Sequence, residues 1–215
     1  MIVIVDYGMG NLGSILNMLK KIGAEAKISS DHAEIAAGHK LILPGVGAFD
    51  TAMRNLEASG LRAVLDEQVL ARRIPTLGVC LGMQLLTEGS EEGSLPGLGW
   101  IAGTTKKFRF DGDGATAALK VPHMGWNTIA LPTRAGDTPR PLVHGLDDPS
   151  QRTRFYFVHS YHVTVRDPAD AAALTHYGHD FVSMVQKGHI MGTQFHPEKS
   201  HKFGMQLLRN FAEMP

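Results

Sequence analysis

Cys80 is the only cysteine of the chain and lies between a short apolar run, residues 76–79, and a helix-like pattern that opens at Leu81. A strand that turns sharply into a helix holds its last residue above the sheet edge, where the helix N-terminus favours a thiolate. Gly78 and Gly82 permit this turn, because glycine tolerates backbone angles and close approaches that side chains forbid. The pattern is a cysteine version of the nucleophile elbow and predicts a nucleophile at Cys80.

The alternative is that Cys80 is a packing residue, since a free cysteine usually behaves as a small buried hydrophobe. Its position between two glycines argues against this, because little apolar surface surrounds it there. If a base and an orienting acid are present elsewhere in the chain, Cys80 is better interpreted as a nucleophile than as a packing residue.

His196 and Glu198 offer that base and that acid. His196 follows the apolar run 190–195, and residues two apart on an extended chain lie on one side. Pro197 between them stiffens the tripeptide. A carboxylate beside an imidazole fixes its tautomer, so that the ring can take a proton from a thiol and return it to a leaving group. Alone, the tripeptide favours a surface turn; together with Cys80 it predicts a triad.

Acyl transfer also needs backbone donors for an oxyanion, each worth about 3 kcal/mol. The N–H of Leu81 is one candidate. The other lies in the glycine-rich segment 44–49, where the N–H of Val46 or of Gly47 is placed to face a substrate carbonyl.

The elements that must position these residues alternate between strand and helix over the first 90 residues, which predicts a doubly wound, mostly parallel sheet. Ligands of such sheets bind outside the carboxyl ends of the strands, where both Cys80 and the segment Pro44-Gly45 fall. The predicted strands are 2–5, 26–29, 40–43 and 75–80, and the predicted helices are 12–22, 31–37 and 51–73, the last interrupted near Ser59-Gly60.

From Trp100 onward short strands with turn signals predict an antiparallel or mixed region. Ser200 is expected to cap a last helix that returns Phe211 to the core. The predicted strands are 101–108, 128–131, 154–158, 162–165, 172–177, 181–186 and 190–195, and the predicted loops are 111–118 and 133–148.

Composition describes an ordinary soluble protein: 43% of the residues are hydrophobic, and 21 basic side chains balance 21 acidic ones. The 215 residues suit one domain, 1–215, and the balanced charge predicts no nucleic-acid partner. No apolar run approaches membrane-spanning length, and a single cysteine excludes an internal disulfide. We therefore predict a cytoplasmic protein without a membrane partner.

Two other patterns suggest different sites. The run Gly8-Met9-Gly10-Asn11-Leu12-Gly13, with Asp31 further on, satisfies a dinucleotide-binding fingerprint, although Asp6 would repel a phosphate there. His159 with His162, and His176 with His179, are spaced three apart, which on a continuous strand places the rings on opposite faces and argues against a metal. We predict neither a metal nor a cofactor.

The segments Gly78–Gln84 and His196–Glu198 together resemble the class I, or triad, glutamine amidotransferases. Within that family the chain is similar, over essentially its whole length, to the glutaminase subunits of imidazole glycerol phosphate synthase. Further segments carry this closer resemblance, namely 6–11, 43–49, 99–100, 123–127, 155–161 and 192–200.

The resemblance implies a three-layer, flavodoxin-like α/β fold with a mostly parallel central sheet and a small antiparallel sheet. It also implies that Cys80 attacks the side-chain amide of L-glutamine and that His196 helps to expel ammonia. The glutamine would be held by Gly47, Gln84, Glu92, Ser160 and Tyr161.

The resemblance further implies a heterodimer with a cyclase subunit, which would receive the ammonia and make imidazole glycerol phosphate and the carboxamide ribotide AICAR in histidine biosynthesis. Asn11 and Lys199 match positions that lie toward this partner. Without it, glutaminase activity is expected to be low. The remaining alternative is a non-catalytic module that binds a partner through the loop 6–11.

Overall fold

The computed structural model describes residues 1–110, 116, 119–132, 140–146 and 152–215. They form an α/β protein with a mostly parallel central sheet and a separate two-stranded antiparallel sheet, as the sequence predicts.

The first half alternates strands and helices. Its elements are β1 (Ile2–Val5), α1 (Leu12–Lys21), β2 (Ala26–Ser29), α2 (His32–Ala36), β3 (Lys40–Gly45), α3 (Phe49–Ala58), α4 (Leu61–Asp66), β4 (Thr76–Cys80) and α5 (Leu81–Leu85), with a π-helical turn at Glu67–Ala71. Gly23 ends α1 at φ +80, a left-handed angle that suits glycine. Gly60, at φ +70, separates α3 from α4, so the predicted interruption of the long helix is confirmed.

The second half is mostly strand. Its elements are β5 (Gly103–Lys107), β6 (His123–Thr128), β7 (Arg154–His159), β8 (Tyr161–Val165), β9 (Ala171–Tyr177), β10 (His179–Lys187), β11 (Ile190–Thr193) and the helix α6 (His201–Glu213).

The central sheet has the strand order β2-β1-β3-β4-β11-β10-β8-β5, with β9 paired to β10. The five strands from β2 to β11 run parallel, so their carboxyl ends share one edge. In this register Gly45 of β3 lies opposite Cys80, and Thr193 of β11 lies opposite Val79. The last residue of β4 therefore sits between the ends of two neighbouring strands.

Alternate residues of the strands bury on opposite faces of the sheet. Ile2 and Ile4 of β1 pack with α1 and α6, whereas Val3 and Val5 pack with α2 and α3. This sandwich of helices around the sheet confirms the three-layer architecture.

One predicted strand is displaced. The strand expected at 128–131 is β6, at His123–Thr128, and it pairs with β7 rather than with the central sheet. In the rest of the predicted strand, Ala130 forms an isolated bridge to Leu174. Met124 and Trp126 are exposed by 62% and 43%, so the apolar side chains of this strand point outward and its hydrophobic pattern is misleading.

The cap predicted for the last helix is also wrong. Ser200 precedes α6, but its hydroxyl donates to the carbonyl of His196 at 2.6 Å and accepts from the N–H of Tyr156 at 3.0 Å. Ser200 therefore ties the segment after β11 to β7 instead of capping the helix. Most of the two predicted loops, 111–118 and 133–148, lies outside the described residues; within the second, Pro141–Val143 form a short 3₁₀ helix.

Within the described part of the chain, no helix combines the length and the apolar character needed to cross a bilayer.

Candidate active site

Cys80 occupies a strained turn at the end of β4. Its backbone angles are φ 55 and ψ −111, an unusual conformation for a residue with a side chain, and α5 begins at the next residue. A Cβ atom on Gly82 would lie 1.8 Å from the carbonyl oxygen of Leu43, and one on Gly78 would lie 2.7 Å from the carbonyl oxygen of Gly82. Both glycines are therefore required by close backbone packing, and the turn inferred from the sequence is present.

His196 and Glu198 form a buried pair just after β11. Nδ1 of His196 lies 2.8 Å from Oε1 of Glu198, and their side chains are 2% and 1% exposed. Pro197–Lys199 form a short 3₁₀ turn, which brings the two side chains together, and the N–H of His196 donates to the carbonyl of Tyr156. With Nδ1 committed to the carboxylate, Nε2 is the ring atom left to exchange a proton, and it has no hydrogen-bond partner of normal geometry among the described residues.

The charge state of His196 follows from its neighbours. Burial lowers the pKa of His196, but contact with Cys80 and with Glu198 outweighs it and raises the pKa to about 10. At neutral pH this environment favours the imidazolium, so His196 is held as a proton donor beside Cys80.

A cavity of about 360 Å³ opens over Cys80, a volume in the range of small-molecule sites. Its lining contains ten of the twelve site residues predicted from the sequence: Val46, Gly47, Cys80, Leu81, Gln84, Glu92, Ser160, Tyr161, His196 and Lys199. Glu198 stands behind His196. Asn11 is not part of the lining and is exposed at the start of α1.

The two residues that carry the candidate oxyanion donors, Leu81 and Val46, line this cavity but differ in burial. Leu81 is buried at the first turn of α5, where a helix N-terminus presents free N–H groups. Val46 is 44% exposed in the turn between β3 and α3, next to Gly47 at φ +105. The side chain of Val46 is therefore only partly packed in this turn.

Glu92 anchors this turn from the other side of the cavity. Its Oε2 accepts from the N–H of Phe49, the first residue of α3, at 3.0 Å. A carboxylate there is favoured by the positive end of the helix. The hydrogen bond connects the loop after α5 to the turn that carries Val46 and Gly47.

Gln84 belongs to a buried network. Its side-chain N–H groups donate to the backbone carbonyl of Tyr161 at 3.2 Å and to the side-chain oxygen of Gln194 at 3.1 Å. The Nε2 of Gln194 lies 3.8 Å from the sulfur of Cys80. Gln194 is two residues before His196, in the bend that follows β11, and its place beside Cys80 depends on the register of β11 with β4, so no local pattern in the sequence reveals it.

The cavity lining also includes His159, Pro122 and Val158, which the sequence does not predict there. Nδ1 of His159 lies 2.7 Å from the carbonyl oxygen of Tyr161, so it carries the proton, and Nε2 accepts from Nδ1 of His123 at 3.0 Å. Burial lowers the pKa of His159 to about 3 and that of His123 to about 4. Both rings are therefore neutral at physiological pH.

His159 and His162 do not point to opposite faces, contrary to the expectation for a continuous strand. The strand is interrupted at Ser160, between β7 and β8. Both rings therefore turn toward Phe108, and their centroids lie 5.3 Å (His159) and 4.7 Å (His162) from the centroid of its ring. The described residues nevertheless include no group of three or more side chains arranged to hold a metal ion.

In the part of the chain that matches a dinucleotide fingerprint, acidic side chains accept hydrogen bonds from backbone N–H groups. A carboxylate oxygen of Asp6 accepts from the N–H of Gly8 at 3.0 Å, so an acidic group occupies the place where a phosphate would need amide donors. Asp31 caps α2 by accepting from the N–H of Glu34 at 2.9 Å. Both contacts disfavour a dinucleotide here.

Solved structures of several amidotransferases are similar to this fold. PurLQS from Thermotoga maritima superposes with a TM-score of 0.70 at 14% identity, over 98% of this chain and 96% of that one. A glutamine amidotransferase from the same organism gives 0.64 at 12% identity, over 99% and 98%. At such identities these likenesses concern the fold alone.

Sequence relatives are much closer. The model of the family Glutamine amidotransferase class-I matches residues 3–214. Imidazole glycerol phosphate synthase subunit HisH 2 of Pseudomonas aeruginosa is 50% identical over the full length of both chains, and its namesake from Methanococcus maripaludis is 48% identical over 99% of each. The chain therefore belongs to the class I glutamine amidotransferases and, within them, to the HisH subunits of imidazole glycerol phosphate synthase.

Proposed function

We propose that this chain hydrolyses L-glutamine to glutamate and ammonia through a thioester on Cys80, and that it supplies the ammonia to a cyclase subunit in histidine biosynthesis. The observation that carries the proposal is the convergence of Cys80, His196 and Glu198 at one end of a cavity sized for a small molecule. Family membership over the full length supports the same function.

The first half of the reaction forms the thioester. The thiolate of Cys80 attacks the carboxamide carbon of glutamine, and the carbonyl oxygen becomes an oxyanion. The N–H groups of Leu81 and Val46 would stabilise this charge. The C–N bond then breaks while Nε2 of His196 gives its proton to the leaving nitrogen, which departs as ammonia.

The second half regenerates the enzyme. His196, now neutral, takes a proton from a water molecule that attacks the thioester carbon, and the C–S bond breaks to return the thiolate of Cys80. Glu198 keeps the ring oriented throughout and stabilises the imidazolium each time it forms.

Five residues of the cavity would hold the glutamine. Gln84 and Glu92 would bind its charged amino-acid end, while Gly47, Ser160 and Tyr161 would supply backbone contacts along the substrate. Because these residues lie on several different elements around the cavity, they would select a substrate whose side chain has the length of glutamine.

The partner is proposed to be the cyclase subunit of imidazole glycerol phosphate synthase, forming a heterodimer in the cytoplasm. Lys199 lies both on the cavity and on the surface, so it would stand where ammonia leaves, and Asn11 would contact the partner from the start of α1. The partial exposure of Val46 suggests that partner binding completes the oxyanion donors. The isolated chain is then a slow glutaminase.

The decisive experiment is a glutaminase assay of the chain with and without the cyclase partner and the ligand of that partner. Ammonia release should rise strongly in the loaded complex and vanish in Cys80→Ala. Unchanged turnover in Cys80→Ala would refute the mechanism, and would favour a non-catalytic module. An isolated chain as fast as the complex would refute the role given to the partner.

A further inference from the structure

Gln194 lies beside the sulfur of Cys80 although no part of the proposed mechanism uses it. Thr193, the last residue of β11, is registered with Val79 of β4, so the next residue on each chain reaches the same sheet edge. The N–H of Gln194 donates to the carbonyl of Ser183 on β10 at 2.9 Å, which holds its backbone. The side chain is completely buried.

The hydrogen bonds of its neighbours determine which end of the carboxamide faces the cysteine. The carbonyl of Tyr161 can only accept, so the atom of Gln84 that approaches it must be the nitrogen. That nitrogen also donates to Gln194, which must therefore present its oxygen to Gln84. The NH₂ group of Gln194 is left to face Cys80, with 3.8 Å between nitrogen and sulfur.

An N–H directed at sulfur has a chemical consequence. A hydrogen bond to the charged form of a group favours that form, so the contact stabilises the thiolate relative to the thiol. His196 acts on the same sulfur, and Gln194 supplies a fixed neutral donor that needs no proton exchange.

We propose that Gln194 is a further catalytic residue, which donates a hydrogen bond to the Cys80 thiolate while its oxygen orients Gln84. The proposal rests on the glutaminase function given above. The same N–H acts when the thiolate attacks and again when sulfur leaves the thioester, since negative charge returns to sulfur at that point. No bond is made or broken at Gln194 itself.

Alkylation of Cys80 by iodoacetamide tests this without glutamine chemistry. The rate is measured against pH for the wild-type chain and for two variants without a donor, Gln194→Met, which keeps the volume, and Gln194→Leu, which is branched and apolar. The pH midpoint, at which alkylation reaches half its maximal rate, should rise by about one unit in both variants, the size expected for a lost hydrogen bond to a charged group.

Gln68→Met is the matched control. Gln68 is also buried, but it lies before the start of β4, at the end of that strand opposite Cys80, and should leave the midpoint unchanged. Thermal unfolding of all variants separates a general loss of stability from the expected shift.

An unchanged midpoint in both Gln194 variants would overturn the proposal, whatever their stability, because a packing role predicts that result. If Gln194→Met fails to fold, Gln194→Leu decides alone. A wild-type complex that releases no ammonia would refute the glutaminase function instead, and the shift in alkylation would still report on Gln194.

Discussion

Nδ1 of His196 and Oε1 of Glu198 lie 2.8 Å apart in a pair whose side chains are almost entirely shielded from solvent. In such an environment a carboxylate acts on the imidazole with little screening, since no water layer separates them. The pair therefore controls both the direction of the ring and the pH range over which it stays protonated.

Replacing Glu198 by Gln should lower glutaminase kcat in the complex by about 10²- to 10⁴-fold, the range of comparable triad changes. The pKa of His196, raised to about 10, should fall because one of the charges that raises it is removed. The imidazolium is then lost at lower pH, so the alkaline limit of activity should move down. A kcat profile from neutral pH to about pH 10 measures this.

Glu34→Gln provides the control, because Glu34 pairs with Lys27 on the surface and should leave the profile unchanged. An alkaline limit in Glu198→Gln equal to that of the wild type would show that Glu198 does not act on the charge of His196.

Gly82→Ala should destabilise the fold by about 1–3 kcal/mol or more, because its Cβ would collide with the backbone carbonyl of Leu43, which cannot rotate away. Gly13→Ala is the matched control. No atom lies within 4 Å of a Cβ at Gly13, in the first turn of α1, so alanine there should stabilise by about 0.5–1 kcal/mol. Urea unfolding of both variants checks the contrast, and equal effects would contradict the close packing at the turn.

Tyr7→Phe should cost about 1–3 kcal/mol, because the buried carbonyl of Pro44 would lose the hydroxyl that donates to it at 2.5 Å. Burial, followed by the charge of Cys80, raises the pKa of Tyr7, so the hydroxyl keeps its proton. Since Pro44 precedes the turn at Val46, the variant should also reduce glutaminase activity of the complex.

Tyr177→Phe is the comparison for Tyr7. Its hydroxyl donates to the carbonyl of Lys120 at 2.7 Å in an exposed setting, where water can replace it. Urea unfolding should show a smaller loss than for Tyr7→Phe, and the reverse order would contradict the importance of burial.

His159 should make stability depend on pH. Its pKa is lowered from 6.5 to about 3 by burial, so below pH 6.5 the unfolded chain binds a proton that the folded chain does not. As the pH decreases below 6.5, this group therefore lowers the free energy of unfolding by about 1.4 kcal/mol for each pH unit. Urea unfolding at about pH 6 and about pH 5, inside this window, measures the difference in the free energy of unfolding between the two pH values. This difference should be smaller for His159→Gln than for the wild type. His144 is exposed, so His144→Gln should keep the wild-type difference. A wild-type slope in His159→Gln would indicate that the ring is not neutral in the fold.

The sequence predicts most elements of the parallel half because each carries a strong local signal. Ile15 and Leu19 repeat at helical spacing, and Gly23 ends the helix where a left-handed angle is needed. The carboxyl ends of the strands then place Cys80 at the sheet edge with little further information.

The errors occur where tertiary contacts override the local pattern. In β6 the buried residue is His123 while Trp126 is exposed, so hydrophobicity points the wrong way. Ser200 has the residue type of a cap but bonds to His196 and Tyr156 instead. The contact between Gln194 and Cys80 depends on strand register, which composition and spacing do not show.

The sheet order also determines when the site comes into being as the chain is made. Gly45, Cys80 and Gln194 meet at the carboxyl ends of adjacent strands, yet more than a hundred residues separate the last two along the chain. Contacts so distant in sequence form late, after the local βα units of the first half. A nascent chain that ends before β11 therefore carries Cys80 with neither its base nor its amide donor, and hydrolysis can begin only after His196 and Glu198 have been added to the chain.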